Sequence, residues 1–337
     1  MRLFVSESPL LEVHGLSKRF RVRSGTDRSA TIVAVEDLDF ALEHGGALAI
    51  VGESGSGKTT TARMVIGLEV PSAGSIRLDG RPLESSPSRR ERRRRAREIQ
   101  IVFQNPYLSL DPRQSASEAV EEIVRFHFGL APSAARDRAL EMLTWVGLGP
   151  KEAQARPRQL SGGQCQRIAI ARALAAEPRL VVLDEAVSAL DVSVQAQILN
   201  LLGDLRVRTG IAYLFISHDL GVVRQIADDV VVMYRGRAVE RGRVEEVLDR
   251  PAHPYTQKLV SSIPQPGVVI PSAPVAREDP DDGCRFRARC PFVFDRCLDE
   301  PGLIAAGPGH EARCWLLATG QSDASPPAES DIAEVRI

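Results

Sequence analysis

The chain has 337 residues, which predicts one large domain and a smaller one, because a single hydrophobic core rarely extends beyond roughly 250–300 residues. Hydrophobic residues make up 43% of the sequence and charged residues 26%, a composition that excludes global disorder. The 43 basic and 44 acidic side chains give a formal net charge of −1, which argues against a nucleic-acid binder that relies on overall basicity. The sequence lacks an apolar run long enough for a membrane span, and its start lacks a signal-peptide pattern, so we expect a soluble, cytoplasmic protein.

Short apolar runs alternate with helical patterns from residue 10 to about residue 262, which predicts an α/β architecture. A glycine-rich turn and a helix starting at about Lys58 follow the first of these runs. Another helix is expected to end at Gly210, because apolar residues recur before it at helical spacing. Buried strands are predicted at 47–51, 180–183 and 212–216.

The composition divides the chain into four segments. The alternating α/β pattern occupies residues 1–262, and a proline-rich, acidic linker is predicted at 263–283. Four of the five cysteines follow at 284–317, which predicts a small separate domain. Residues 318–337 have the composition of a disordered tail.

Residues 52–59 match the phosphate-loop pattern G-x-x-x-x-G-K-S/T in full. Glycines let backbone N–H groups turn toward phosphate oxygens, and the helix that follows directs its positive end at them. Lys58 would reach the β- and γ-phosphates, and the Thr59 hydroxyl would ligate Mg²⁺. The alternative is a glycine turn with a chance lysine, and the position of the match between a predicted strand and a predicted helix argues against it. The predicted ATP-binding residues here are Gly52, Glu53, Ser54, Gly55, Ser56, Gly57, Lys58, Thr59 and Thr60.

Asp184 and Glu185 follow the predicted strand at 180–183, where open α/β sheets place ligand-binding groups. Asp184 would hold Mg²⁺, directly or through water, and Glu185 would polarise the attacking water as a general base. An exposed acidic turn would explain the pair alone, but not the pair in a chain that also carries a phosphate loop.

Ser161, Gly162, Gly163 and Gln164 precede another predicted helix. Alone they could be a serine-capped helix start, although the exposed N–H groups of such a start also suit a γ-phosphate. Together with the phosphate loop and Asp184-Glu185, in this order, they make the sequence resemble the ATP-binding subunit of an ABC transporter. The resemblance covers about 250 residues, with one mild departure at Ala186-Val187, where many relatives have Pro-Thr.

The resemblance implies a phosphate-loop NTPase fold with a helical subdomain and assigns further residues. Gln104 matches the Q-loop, which contacts Mg²⁺ and the attacking water, and His218 matches the switch histidine, which contacts the γ-phosphate. Phe20 lies where the family stacks an aromatic ring on adenine, with a core phenylalanine as the alternative. The family also forms a head-to-tail dimer in which each ATP lies between one phosphate loop and the other subunit's Ser161–Gln164. The D-loop of that dimer matches Ser188, Ala189, Leu190 and Asp191.

Three stretches resemble the oligopeptide/dipeptide importer branch: 103–113, 160–174 and 253–264, together with the cysteine block. This implies an ATPase that energises peptide import from the cytoplasmic face of the inner membrane. Its implied partners are a second ATPase subunit, with a heterodimer favoured, two transmembrane permease subunits and, indirectly, a solute-binding protein. Nickel, glutathione or antimicrobial peptides are alternative cargoes. A soluble ABC ATPase acting on nucleic acid or ribosomes is the alternative class, disfavoured because the chain has one phosphate loop and no long coiled-coil insertion.

The cysteine block contains Cys284, Cys290, Cys297 and Cys314, whose spacings lack the C-x₂-C pairs of common zinc ribbons. Four thiolates still suit a tetrahedral centre of iron–sulfur or zinc, and a metal-free thiol domain is the remaining alternative. The resemblance implies a [4Fe-4S] cluster. Cys165 is interpreted as a small buried residue of its helix.

Seven arginines occupy residues 89–97. Such a run can contact nucleic acid or anionic lipid. We favour a solvated helical segment instead, since Glu91 and Glu98 offer partial charge compensation and the chain as a whole is nearly neutral. No nucleic-acid partner is expected.

Overall fold

A computed structural model describes residues 8–23, 29–262 and 282–319. Almost all of the predicted linker at 263–283 and of the predicted tail at 318–337 therefore lies outside the described residues. In the described part, the strands are β1 (Leu11–Arg23), β2 (Ser29–Leu42), β3 (Ala47–Val51), β4 (Ala73–Leu78), β5 (Arg81–Pro82), β6 (Ile99–Phe103), β7 (Leu180–Asp184), β8 (Ala212–Ser217), β9 (Asp229–Tyr234), β10 (Arg237–Arg243), β11 (Ile304–Gly307) and β12 (His310–Ala312).

The helices of the described residues confirm those expected from the sequence pattern. Lys58 begins the helix after the glycine-rich turn, and Gly210 ends another in the left-handed conformation, with φ 70°. The helices are α1 (Lys58–Ile66), α2 (Arg89–Glu98), α3 (Ala116–Phe128), α4 (Pro132–Trp145), α5 (Pro150–Gln154), α6 (Gly162–Leu174), α7 (Val192–Thr209), α8 (Leu220–Ile226), α9 (Val244–Asp249), α10 (Pro254–Ser261) and α11 (Leu316–Thr319). Within the described ranges, none of them is long and apolar enough to cross a membrane.

Two sheets organise the described part of the chain. The smaller sheet is antiparallel and has the order β2-β1-β4-β5, and the larger has the order β11-β12-β10-β9-β3-β8-β7-β6. In the larger sheet, β6, β7, β8, β3 and β9 run parallel to one another. Parallel neighbours bring their carboxyl ends to one edge, so the residues that follow β3, β6, β7 and β8 meet there.

Strand β3 shows how the core forms on both faces of the large sheet. All five of its residues are buried, and they alternate between two hydrophobic clusters. Ala49 and Val51 pack into the cluster that contains the α3, α4 and α6 side chains, whereas Leu48 and Ile50 pack against α1 and the small sheet. Burial on both faces explains the continuous apolar run in the sequence, which is typical of a central parallel strand.

The arginine run forms helix α2, and several of its side chains have partners inside the protein. Arg95 donates to the carbonyls of Met64 and Val65 at 2.8 Å, which satisfies two acceptors at the end of α1. Arg94 pairs with Glu91 and Glu98, and Arg97 lies over the Phe128 ring at 4.4 Å. Much of the positive charge is therefore used in packing and ion pairs.

The cysteine-containing segment (282–319, called the extension below) is joined to the large sheet. Strand β12 pairs antiparallel with β10, placing Glu240 opposite Ala312. The carboxylate of Glu240 is fully buried and accepts from His310 Nε2 of β12 at 2.7 Å. Phe286 is 2% exposed and packs edge-on against the Tyr234 ring, with a centroid distance of 5.4 Å. The pairing of β12 with β10 joins residues on both sides of the domain boundary predicted at 283/284, and that boundary stays a prediction.

Candidate nucleotide site

The phosphate loop connects β3 to α1 in a conformation that requires glycine. Gly52 and Gly57 have φ values of 152° and 102°, and a Cβ at either position would collide with a neighbouring backbone carbonyl. Lys58 is 5% exposed, and its ammonium donates to the carbonyls of Gly52 and Glu53 at 2.8 and 2.9 Å. Burial lowers the pKa of Lys58, while the nearby carboxylates of Glu185 and Asp184 act in the opposite direction. The ammonium is thus held inside the loop that it closes.

The two predicted carboxylates lie beside the phosphate loop. The Thr59 hydroxyl donates to Asp184 Oδ1 at 3.3 Å, which joins the start of α1 to the end of β7. Burial raises the pKa of Asp184, with a further contribution from the neighbouring Glu185 and an opposing one from the Thr59 hydrogen bond. A bound cation would stabilise the charged form of this carboxyl group, since it compensates for lost hydration.

Glu185 has a left-handed backbone conformation, with φ 50°, and its N–H donates to the Ile216 carbonyl on β8 at 3.0 Å. This turn brings the Glu185 carboxylate to His218, with Oε1 and Nδ1 3.3 Å apart. His218 follows β8 directly and is exposed. A positive φ at a residue with a Cβ is unfavourable in isolation and is often found at functional sites.

Gln104 follows β6 and connects to the turn after β7. Its Nε2 donates to the Ser188 hydroxyl at 3.1 Å, and that hydroxyl donates to the Glu185 carbonyl at 3.0 Å. Asp191 accepts from the Val194 N–H at 3.0 Å and caps α7. The structure therefore links Gln104 through the predicted D-loop to the backbone of Glu185.

Ser161 caps α6 and forms a reciprocal capping box with Gln164, as its sequence pattern permits. Gly163 faces Val194 of α7, and a Cβ there would lie 2.5 Å from Val194 Cγ1. Gly162 lies next to Leu190, with its Cβ position 3.7 Å from the Leu190 side chain. This segment packs against the D-loop and the start of α7, and Ser161 itself is exposed.

Phe20 lies on β1 and is half-buried. Its ring contacts the ammonium of Lys18, with Nζ 4.9 Å from the ring centroid. The assignment of this ring to adenine stacking stays a prediction.

Two residues that the sequence did not assign to the nucleotide site contact the phosphate loop. The Glu53 N–H donates to the Tyr255 hydroxyl at 2.8 Å, and Arg289 of the extension makes a bidentate ion pair with the Glu53 carboxylate. Tyr255 and Arg289 are 202 and 236 residues from Glu53 in sequence. The sequence signal that could have found these contacts is Glu53 itself. An acidic side chain in a loop that binds anions is expected to have a compensating cation nearby.

The four cysteines of the extension are free thiols and lie near enough to one another for their charges to interact. Burial, with a smaller contribution from neighbouring thiols of the block, raises the pKa of Cys290 and of Cys314 to about 12. Among the described residues, no group of three or more Cys, His, Asp or Glu is arranged to hold a metal ion. The predicted iron–sulfur centre is therefore unsupported by this arrangement.

Comparison with known proteins places these features in a family. The ABC transporter family matches residues 35–188, and the family described as oligopeptide/dipeptide transporter, C-terminal region, matches residues 239–297. A putative peptide import ATP-binding protein of Brucella ovis is 44% identical over 322 residues, which cover 92% of this chain and 98% of that protein. The chain belongs to the ATP-binding proteins of ABC transporters.

Other relatives of this ABC protein include the dipeptide transport ATP-binding protein DppF of Escherichia coli, 42% identical over 92% of this chain and 95% of that protein. Among solved structures, the dimeric ATP-binding cassette MJ0796 bound to ADP and phosphate is 29% identical, with a TM-score of 0.62. The match covers 69% of this chain and 98% of the MJ0796 chain. CbiO1 of Clostridium perfringens, part of the transporter complex cbiONQ, is 29% identical with a TM-score of 0.63, over 72% of this chain and 92% of that one.

These likenesses confirm the family resemblance, the ABC-type ATPase fold and the activity of ATP hydrolysis expected from the sequence.

Proposed function

We propose that this protein is the ATP-hydrolysing subunit that energises peptide import across the cytoplasmic membrane. The observation that carries the proposal is the convergence of four segments at one edge of the large sheet: the phosphate loop, Asp184-Glu185, Gln104 and His218. Relatives named for peptide or dipeptide import, matched over nearly their whole length, support the cargo class.

In the proposed mechanism, the N–H groups of residues 52–60 and the Lys58 ammonium hold the phosphates of ATP. Thr59 Oγ1, the Asp184 carboxylate and the Gln104 amide offer the oxygen donors that Mg²⁺ prefers, and the 3.3 Å contact between Thr59 and Asp184 supports a shared ligand. Bound Mg²⁺ would neutralise charge on the β- and γ-phosphate oxygens. Glu185 would accept a proton from the attacking water, and His218, 3.3 Å from Glu185, would contact the γ-phosphate.

The second half of each ATP site is proposed to come from another ATPase subunit. Ser161 is exposed at the N-terminus of α6, where free N–H groups favour an anion. Residues 161–164 of one subunit would cover the γ-phosphate held by the phosphate loop of the other. In this dimer the D-loop, 188–191, would lie at the subunit contact. Its Ser188 hydroxyl is hydrogen-bonded to Gln104 and to the Glu185 carbonyl, which links that contact to the hydrolytic site.

We propose further that the partner ATPase is a sister subunit and that the two bind a pair of transmembrane permeases at the cytoplasmic face of the membrane. A solute-binding protein would deliver the peptide indirectly. Nickel, glutathione or antimicrobial peptides are disfavoured as cargoes, because the relatives are named for peptide or dipeptide import. A nucleic-acid role is disfavoured by the internal partners of Arg94, Arg95 and Arg97.

Affinity purification of the tagged protein from detergent-solubilised native membranes tests the importer. We expect two polytopic permeases and a second ATPase to co-purify, and deletion of the gene should abolish uptake of a labelled dipeptide. Complementation with Glu185→Gln is the matched control, because it should restore the complex but not the uptake. Recovery only in the soluble fraction, with DNA or ribosomes attached, would contradict the proposal.

An iron–sulfur centre in the extension is a separate proposal, which rests on the family resemblance and on the four free thiols of this short segment. No catalytic step is assigned to it. Anaerobic purification should yield iron and acid-labile sulfide with broad visible absorbance, and Cys297→Ser should remove all three. Protein that contains zinc instead, or no metal, would reject the centre.

A further inference from the structure

Arg289 of the extension pairs with the phosphate loop. Arg289 Nη1 and Nη2 lie 3.0 and 2.9 Å from the two carboxylate oxygens of Glu53, the second residue of the loop. Two parallel charge-assisted hydrogen bonds fix both the distance and the plane of the carboxylate, which a single contact would not do. Arg289 is 21% exposed, so the pair is partly shielded from water.

The guanidinium of Arg289 is itself held in place. Nη1 also donates to the Tyr234 hydroxyl at 3.2 Å, and the guanidinium carbon lies 5.7 Å from the ring centroids of both Tyr234 and Phe286. Phe286 and Tyr255 are almost fully buried, so these rings form a rigid support. Because the arginine is already ordered, little side-chain entropy remains to be lost when it pairs with Glu53.

Glu53 is consequently fixed at three points. Its carboxylate pairs with Arg289, its N–H donates to the Tyr255 hydroxyl at 2.8 Å, and its carbonyl accepts from the Lys58 ammonium at 2.9 Å. Phosphate binding requires that loop N–H groups already point inward, since ordering them at the moment of binding would reduce affinity.

The Arg289–Glu53 pair also changes the charge beside the phosphate site. Arg289 holds the pKa of the Glu53 carboxyl below its usual range, with Lys258 and Lys58 contributing in the same direction. Glu53 is therefore ionised beside a site for an anionic nucleotide, where an unpaired carboxylate would repel phosphate. The arginine compensates for that charge at the loop itself.

We propose that Arg289 is a positioning residue for ATP binding, which holds Glu53 and thereby the first turn of the phosphate loop in its phosphate-ready conformation. The proposal rests on the proposed nucleotide site and adds that the affinity of this site for ATP depends on the docked extension. The extension would therefore contribute directly to ATP binding by the ATPase domain.

The test compares variants of the full chain by the Kd for MgATP and by the KM and kcat of hydrolysis. Arg289→Gln should raise Kd and KM together by roughly 5- to 30-fold, while kcat changes by less than about 2-fold, because the arginine does not touch the reacting atoms. Arg289→Lys should recover part of the loss, since it restores the charge but not the bidentate geometry. Glu53→Gln added to Arg289→Gln should lower Kd relative to Arg289→Gln alone by removing the unpaired carboxylate.

Arg296→Gln is the matched control. Arg296 lies on the same extension and stacks on the Trp315 ring at 3.9 Å, remote from Glu53 in its contacts. We expect its Kd and KM to match those of the unchanged protein. An equal rise of KM in Arg296→Gln and Arg289→Gln would show general loosening of the extension and overturn the proposal.

Unchanged Kd and KM in a folded Arg289→Gln protein would also overturn it. If that variant fails to fold, Glu53→Gln probes the same pair from the loop and should raise Kd by a smaller factor, whereas no rise would reject the pair. Loss of ATP binding in Lys58→Ala reports on the nucleotide site alone. A failed nucleotide assignment and a failed role for Arg289 are thereby distinguishable.

Discussion

Glu185→Gln is expected to retain ATP binding and to lose hydrolysis, with turnover falling about 10²–10⁴-fold, the range of general-base catalysis. The amide has nearly the same shape as the carboxylate, so the left-handed turn at φ 50° and the hydrogen bond from the Glu185 N–H to Ile216 should persist. What disappears is the oxygen able to accept a proton from water. Single-turnover ATP hydrolysis, with separate measurement of MgATP affinity, checks both parts of the expectation.

Glu177→Gln is the matched control for this substitution. Glu177 also has a left-handed backbone, with φ 52°, but it precedes β7 and therefore lies at the opposite end of the strand from Glu185. Its side chain pairs with Arg97 and Arg138 at the surface, and such pairs contribute little to stability. Turnover should be unchanged. Robust hydrolysis by Glu185→Gln would remove Glu185 from the role of general base.

Lys58→Ala should weaken binding of MgATP by about 10- to 100-fold, which corresponds to about 1.5–3 kcal/mol for hydrogen bonds to a charged group. The ammonium is buried in the loop and bound to the carbonyls of Gly52 and Glu53, so it is already positioned where phosphate oxygens would arrive. Isothermal titration with MgATP measures the effect directly. A thermal-unfolding curve shows whether the loop has kept its fold.

Lys151→Ala serves as the control for Lys58→Ala, because Lys151 lies exposed on α5 of the helical region. Its MgATP affinity should equal that of the unchanged protein. An unaltered affinity in folded Lys58→Ala would show that the phosphate-loop assignment is wrong, and with it the mechanism built on Thr59 and Asp184.

The two substitutions separate binding from chemistry because the fold separates them. The loop after β3 supplies the groups around phosphate, and the ends of β7 and β8 supply Glu185 and His218. Strand β8 lies between β3 and β7 and is parallel to both, so these loops share one edge. A substitution in the phosphate loop can therefore weaken ATP binding, and one after β7 can abolish hydrolysis, each without removing the other step.

Sequence by itself determined the parts whose chemistry is local. Glycine spacing in 52–59, the apolar run of β3 and the serine before α6 each depend on near neighbours, and the structure confirms the strand, the turn and the capped helix. The meeting of Asp184 with Thr59 could also be anticipated, because parallel strands carry their ends to one edge.

Only the tertiary structure decided how the extension relates to the ATPase site. Arg289 meets Glu53 across 236 residues, and β12 completes the sheet beside β10. Neither contact leaves a periodic pattern in the sequence, because each depends on how strands are ordered in space and on side chains brought together by packing. Local backbone preferences depend on adjacent residues, whereas contacts between residues more than 200 positions apart depend on the topology of the fold.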